Sequence, residues 1–257
     1  MKIIETVSGF LEWRRALDQN LSVGFVPTMG ALHAGHGSLL ATSKKENDIT
    51  ILSVFVNPTQ FNQTEDFEKY PKTWEQDLLL AEKNGVDIVF SPKDPSEVYP
   101  DQYRYQITEK DFSKNLCGEF RPGHFDGVLT VVMKLLQITK PRRAYFGEKD
   151  FQQYTLIKSM AESFFMDVEI VGCQTIREES GLALSSRNLR LEESERLLAP
   201  KLYQVMTHAD DVNDAKSALS DLGFEVEYLT DLKTPAGKRR FAAAWLGKVR
   251  LIDNVER

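Results

Sequence analysis

Cysteine is scarce in this chain: Cys117 and Cys173 are the only two among 257 residues. They share no CxxC spacing, which excludes a disulfide framework and a cysteine-built zinc or redox centre. Both read as inert thiols. No apolar run approaches the roughly 18 residues that a membrane-spanning helix needs. The opening stretch MKIIETVSGFLEWRR interrupts its apolar residues at Glu5 and lacks a small-residue cleavage site, so it does not read as a signal peptide. Positive charge is in deficit too, with 32 Lys and Arg against 38 Asp and Glu, a formal charge of −6. That balance disfavours sequence-independent binding to nucleic acid or to anionic membrane. These absences leave a cytoplasmic globular protein with no nucleic-acid and no membrane partner as the expectation, and the 42% hydrophobic and 27% charged content agree with it.

Apolar, β-rich runs recur at SVGFVP (22–27), ITILSVFVN (49–57), VDIVFSP (86–92), RRAYFG (142–147) and DVEIVG (167–172). They are continuous rather than alternating, so each expects cover on both faces, which a parallel sheet between helices provides. Helical patterns fall between them: GSLLATSKKEN, TWEQDLLLAEKNG with Thr73 as its N-cap, FDGVLTVVMKLLQI ahead of Pro141, and QYTLIKSMAESFF. Leu78, Leu79 and Ala81 read as the packed face of the second of these. The fold class is therefore α/β, a Rossmann-like parallel sheet with helices on both faces. After LSSRN (184–188) the texture changes to charged helices and short strands, FEVEYL, FAAAWL and VRLIDN, a small C-terminal α+β subdomain. The division expected is 1–176 and 177–257.

Only four histidines occur, and two of them, His33 and His36, sit in VPTMGALHAGH between the first strand and its following helix. Open parallel sheets bind ligands at such strand ends. Gly30 and Gly35 permit close backbone approach, the helix N-terminus offers unpaired amides and partial positive charge, and the imidazoles add donors. A lone HxxH also fits exposed loop residues or a metal pair, but no third ligand of suitable spacing follows, and a nucleotide phosphate suits the junction better. GEKDFQQ (147–153) follows another strand: Lys149 is a point charge for phosphate, Glu148 and Asp150 are acceptors for ribose or a hydrated cation, and Gln152 or Gln153 suits a neutral polar group. GLALSSRN (181–188) adds two hydroxyls and Arg187, good phosphate donors, in a stretch that also reads as a helix N-cap. Asp77 reads as part of a solvated helix face, Arg121 as a residue that helps close the site, and His208 as a surface residue.

With SVFVNPTQF (53–61), RPGHFDGV (121–128), FGEKDFQQ (146–153) and LALSSRN (182–188) added to VPTMGALHAGH, the chain resembles the pantothenate synthetase family, the pantoate–β-alanine ligases of the HxGH nucleotidyltransferase superfamily. The resemblance runs nearly end to end. It implies ATP-dependent, AMP-forming ligation of (R)-pantoate with β-alanine through a pantoyl-adenylate, a homodimer, a C-terminal lid subdomain hinging near residue 180, and Mg2+ accompanying ATP. The implied ATP-binding positions are Met29, Gly30, Ala31, Leu32, His33, Ala34, Gly35, His36, Gly147, Glu148, Lys149, Asp150, Ile176, Leu184, Ser185, Ser186 and Arg187. Implied pantoate contacts are Gln60 and Gln153, and His36 is the implied catalytic histidine. No residue is assigned as a metal ligand.

The chemistry agrees with that set. A carboxylate attacking the α-phosphorus of ATP approaches like charge, so the site must neutralise phosphate oxygens rather than supply a strong base. His33, His36, Lys149, Ser185, Ser186 and Arg187 can do so, while neutral glutamines orient pantoate without trapping its carboxylate. Another HxGH adenylyltransferase would share the phosphate groups but not the glutamines, and a noncatalytic nucleotide-binding module would bind ATP without releasing pyrophosphate.

Overall fold

Continuous apolar strands do form a sheet covered on both faces. The structure is a computed structural model that describes residues 1–62, 67–234 and 237–257. The chain separates into two units, Met1–Gly147 with Gln152–Cys173, and Glu148–Phe151 with Gln174–Arg257. In the first, β1 (Lys2–Ile4), β2 (Val23–Thr28), β3 (Ile49–Val54), β4 (Ile88–Phe90), β5 (Arg143–Gly147) and β6 (Glu169–Cys173) align in the order β1-β4-β3-β2-β5-β6. Every pairing is parallel. The longer helices are α1 (Val7–Ala16), α2 (Ala34–Glu46), α3 (Trp74–Lys83), α4 (His124–Thr139) and α5 (Phe151–Ser163), with short helical turns at Pro95–Val98 and Cys117–Phe120.

Each apolar run of the sequence became a strand, and β1 is an additional edge strand, too short to carry a pattern. Val26, Leu40, Leu52, Val89 and Tyr145 pack one core of this unit. Leu79 is a correction: it is 67% exposed, because the face of α3 that turns inward carries Asp77 and Ala81. The sheet order matters most for function. From β2 the chain proceeds outward through β3 and β4, whereas β5 and β6 extend the other way, so the order reverses between β2 and β5. At such a switch point the connections leave in opposite directions and a crevice opens beyond the carboxyl ends.

The second unit has an antiparallel sheet, β7 (Glu225–Thr234), β8 (Gly237–Leu246) and β9 (Val249–Glu256). With it go α6 (Glu193–Leu198), α7 (Pro200–His208) and α8 (Val212–Asp221). The first charged helical stretch, ESERLLAPKLYQVMTHADD, is divided at Ala199, since Pro200 cannot donate to the preceding turn. Leu202, Met206, Leu219, Leu229, Ala244 and Leu251 pack its core. Arg240 lies within this unit with no exposed surface. All its donors are used: Nε and Nη2 on Asp231 at 2.7 and 3.2 Å, Nη1 on the carbonyls of Ala209 and Met206 at 2.6 and 3.3 Å, and Nη2 on that of Asp210 at 3.2 Å. Its guanidinium therefore joins β8 and β7 to the loop after α7. No helix among the described residues is long and apolar enough to cross a membrane.

Candidate active site

At the carboxyl end of β2 the chain turns through Gly30 and Ala31, both with positive φ, 84° and 51°. Glycine takes this conformation freely, but alanine is strained there and needs outside support. The support is Asp77 of α3. Its Oδ2 accepts the Ala31 N–H at 3.0 Å and its Oδ1 the Leu32 N–H at 2.7 Å, with the Thr73 hydroxyl donating to Oδ1 at 2.9 Å. Asp77 is only 2% exposed, so the expectation of a solvated carboxylate is corrected: it is the anchor of the histidine loop. Thr28 starts the turn, donating to the Ser53 carbonyl at 2.7 Å and accepting the Gly30 N–H at 3.2 Å.

His33 and His36 then cap α2 reciprocally. His33 Nδ1 accepts the Gly35 N–H at 3.1 Å, and His36 Nδ1 accepts the His33 N–H at 3.3 Å. The ring centroids are 4.1 Å apart. A neutral ring that accepts at Nδ1 carries its proton at Nε2, so this pattern assigns Nε2–H as the donor on both imidazoles. The cap fixes both rings at the N-terminus of α2, the end of a helix at which anions bind.

Gln60 sits in the turn after β3. Its side-chain Nε2 lies 3.1 Å from Met29 Sδ and its Oε1 accepts from Asn57 Nδ2 at 3.2 Å, which joins the pantoate candidate to the histidine loop. Asn57 has no exposed surface and organises this turn. Its Nδ2 also reaches the Gly127 carbonyl at 3.2 Å, and its Oδ1 accepts from Tyr99 at 2.8 Å and Thr59 at 3.0 Å. Burial pushes the Tyr99 phenol up to about 12, which keeps it a donor. The Gln60 carbonyl is bound by His124 Nδ1 at 2.7 Å and Arg121 Nη2 at 3.3 Å. Helix α4 approaches the turn so closely that a Cβ on Gly127 would lie 2.5 Å from the Thr59 carbonyl oxygen. Asn57 and Gly127 are structural supports of the Gln60 turn that sequence reasoning passed over, although both lie inside the quoted motifs.

The two glutamines after β5 separate cleanly. Gln152 is buried and structural: it accepts the Cys117 N–H at 3.1 Å and donates to the carbonyls of Phe112 and Asn115 at 2.9 and 2.7 Å. Gln153 makes no side-chain hydrogen bond with the described residues and stays half-buried. Cys117 is buried, as an inert thiol would be, and His208 is exposed.

Of the other phosphate candidates Gly147 belongs to the first unit and the rest to the second. Gly147 ends β5, and Glu148, Lys149 and Asp150 form a single 3-10 turn, with Lys149 Nζ 3.8 Å from Asp150. The carbonyls of Glu148 and Lys149 both accept from Asn254 Nδ2, at 2.9 Å each. Ile176 and Leu184 are joined by a backbone bond of 3.0 Å, and Arg177 bridges Ala183. This narrow hairpin delivers Ser185, whose hydroxyl caps the turn Ser186–Arg190 by accepting the Arg187 N–H at 3.3 Å. Ser186 is buried and Arg187 half-buried. The N-cap reading of this stretch is thus the one observed, with Ser185 as the cap. Among the described residues no group of three or more His, Cys, Asp or Glu is arranged to hold a metal ion.

A topological switch point in a parallel sheet, with an imidazole-capped helix after the strand beside it and the HAGH motif at that cap, is the framework of a doubly wound α/β fold of the HxGH type. The model of the family described as pantoate-beta-alanine ligase matches residues 2–256. Pantothenate synthetase of Bdellovibrio bacteriovorus is 56% identical over 255 residues, 99% of either chain, and that of Coxiella burnetii 53% identical, covering 99% of this chain and 96% of the relative. Among solved structures, pantoate-beta-alanine ligase from Francisella tularensis, complexed with beta-gamma ATP and beta-alanine, superposes with a TM-score of 0.94 at 42% identity, covering 100% of this chain and 97% of the other. Pantothenate synthetase from Thermus thermophilus gives 0.93 at 38%, covering 100% and 99%. This chain belongs to the pantoate–β-alanine ligase family.

Proposed function

We propose that this chain joins (R)-pantoate to β-alanine at the expense of ATP, forming pantothenate, AMP and pyrophosphate. The observation that carries the reading is the reciprocal imidazole cap: two Nε2–H donors presented at a helix N-terminus beyond the switch point, with Gln60 tethered to the same loop through Met29.

In the first step the pantoate carboxylate attacks the α-phosphorus and pyrophosphate leaves. His33, His36, Lys149, Ser185, Ser186 and Arg187 neutralise the phosphate oxygens, which lowers the barrier by stabilising charge that grows in the transition state. The backbone of Met29–His36, Gly147–Asp150, Ile176 and Leu184–Arg187 cradles the rest of ATP. Gln60 and Gln153 hold pantoate through neutral amides, which fix its direction of approach. In the second step the amine of β-alanine attacks the acyl carbon of the pantoyl-adenylate, the bond to AMP breaks, and the amine proton is lost to solvent. No covalent bond to the protein forms. Mg2+ belongs to this proposal as an ion carried on the nucleotide, the form in which magnesium usually enters phosphoryl sites; Asp150, about half exposed, is the carboxylate in the cradle with room for its hydration shell. A cytoplasmic homodimer, and a lid role for the C-terminal subdomain, belong to the same proposal.

Pyrophosphate release with ATP, pantoate and β-alanine tests it directly. His36→Ala should lower adenylate formation by about 10²-fold or more; near-normal turnover would strike His36 from the groups that stabilise the transition state. Gln60→Ala and Gln153→Ala should each raise the KM for pantoate and leave that for ATP nearly unchanged. If neither moves it, another adenylyltransferase substrate must be sought.

A further inference from the structure

The last strand bears two adjacent polar residues that the reaction does not require by themselves. Asn254 is 4% exposed and Asp253 5%. Asn254 Nδ2 holds the carbonyls of Glu148 and Lys149, while its Oδ1 accepts from Arg239 Nη1 at 2.5 Å. Asp253 takes the guanidinium of Arg177 at both oxygens, 2.6 and 2.8 Å, a bidentate pair that sets direction as well as distance. Arg177 stacks 3.8 Å above the Tyr203 ring, donates to the Gly181 carbonyl at 3.1 Å, and bridges Ala183. The two side chains are themselves coupled, since Asp253 Oδ1 accepts the Asn254 N–H at 2.8 Å.

One dipeptide of β9 thus grips both the turn that carries Lys149 and the hairpin that delivers Ser185–Arg187. We infer that Asn254 and Asp253 are positioning residues that set the spacing between these turns for one polyphosphate ligand. The inference rests on the reading of Lys149 and Ser185–Arg187 as phosphate groups. The residue types support it. Two adjacent carbonyls can be gathered only by a donor with two N–H groups, which an amide has and an isosteric carboxylate lacks. A buried ion pair is weak support for stability when apolar residues could fill the same space, whereas a fixed direction is what a multidentate phosphate site needs, because a misplacement of about 1 Å can cost about 10²-fold in rate.

The test is Asn254→Asp in the full chain, which keeps the shape and the Arg239 contact but turns an oxygen onto the two carbonyls. The KM for ATP should rise at least about tenfold with that for pantoate within about twofold, and amide exchange in the 148–153 segment should accelerate. Asp253→Asn should shift the ATP KM in the same direction by less. Should Asn254→Asp fail to fold, Asn254→Ala replaces it, with the same expectation. Lys149→Ala is measured beside them. If it raises the ATP KM while the folded Asn254 variants do not, or if those variants lose thermal stability with both KM values unmoved, the inference is overturned and the phosphate reading stands. If Lys149→Ala itself leaves the ATP KM unmoved, the phosphate reading fails and the inference falls with it.

Discussion

Asp77 in the first unit and Asn254 in the second hold their loops by opposite halves of the peptide group. The carboxylate collects the N–H groups of Ala31 and Leu32; the amide collects the carbonyls of Glu148 and Lys149. The consequence for an anionic ligand differs. In the histidine loop two backbone donors are withdrawn into the protein, and on the proposed reading the imidazoles take their place toward a phosphate. In the Lys149 turn two backbone acceptors, which would repel phosphate, are committed to a side chain. The first anchor withdraws backbone donors and adds a buried carboxylate, whereas the second withdraws backbone acceptors, so the two act on the potential of their loops in opposite senses.

The surroundings differ as well. Parallel strands buried on both faces give the first unit an apolar base, whereas the second relies on buried charge, with Arg240 and Asp231 tying sheet to helix. Arg240→Met would break that contrast most severely. It takes the buried guanidinium from Asp231, which keeps Lys238, and one donor from each of the Met206, Ala209 and Asp210 carbonyls, the last two keeping Arg257, and should destabilise the second unit by about 3–5 kcal/mol, read by hydrogen exchange resolved between the units. Equal protection loss in the first unit would show that the units do not unfold independently. Asp77→Ala should come next, at about 2–4 kcal/mol for two amides left without an acceptor, together with a loss of turnover. Asp77→Asn should recover part of both, and a silent Asp77→Ala would show that Ala31 needs no support. Gly127→Ala should cost about 1–3 kcal/mol by overpacking against Thr59 and raise the KM for pantoate through Gln60. Thermal melts and steady-state kinetics check it, and an unchanged KM would detach the turn from pantoate.

The smallest expected effect is in pH. Hydrogen bonds from Arg240, and then from Lys238, hold the Asp231 carboxyl below its ordinary 3.8. A carboxyl depressed in the folded state binds its proton more readily when unfolded, so its stabilisation is complete above that ordinary value and is lost as pH falls below it toward the depressed one. Denaturant titrations of the wild type and of Asp231→Asn should therefore converge as the pH is lowered through this range. Curves that stay parallel would remove Asp231 from the acid sensitivity.

The sheet and its motifs were legible because both are local. Runs such as ITILSV state their burial in consecutive residues, and a strand followed by glycines, histidines and a helical pattern places its own chemistry. The anchors were not legible. Asp77 reaches back 45 or 46 positions to its amides, and Asn254 reaches back 105 or 106. No spacing rule connects such pairs, and each looks locally like an ordinary helix or strand residue. Leu79 was misread for the related reason that a polar anchor at position 77 claimed the inward face of α3. Gln152 and Gln153 show the limit most sharply: neighbours of identical chemistry, of which only the fold shows that one is fully bonded to the protein backbone.

On the reading proposed above, the histidine cap gives each ring two separate occupations, one nitrogen for the helix and the other for a ligand. Asparagine at position 36 could imitate the near nitrogen, and glutamine the far one, but neither can imitate both. A lineage abandoning the reaction could thus retain its architecture through asparagine, while one that kept turnover would have no second amino acid to drift to.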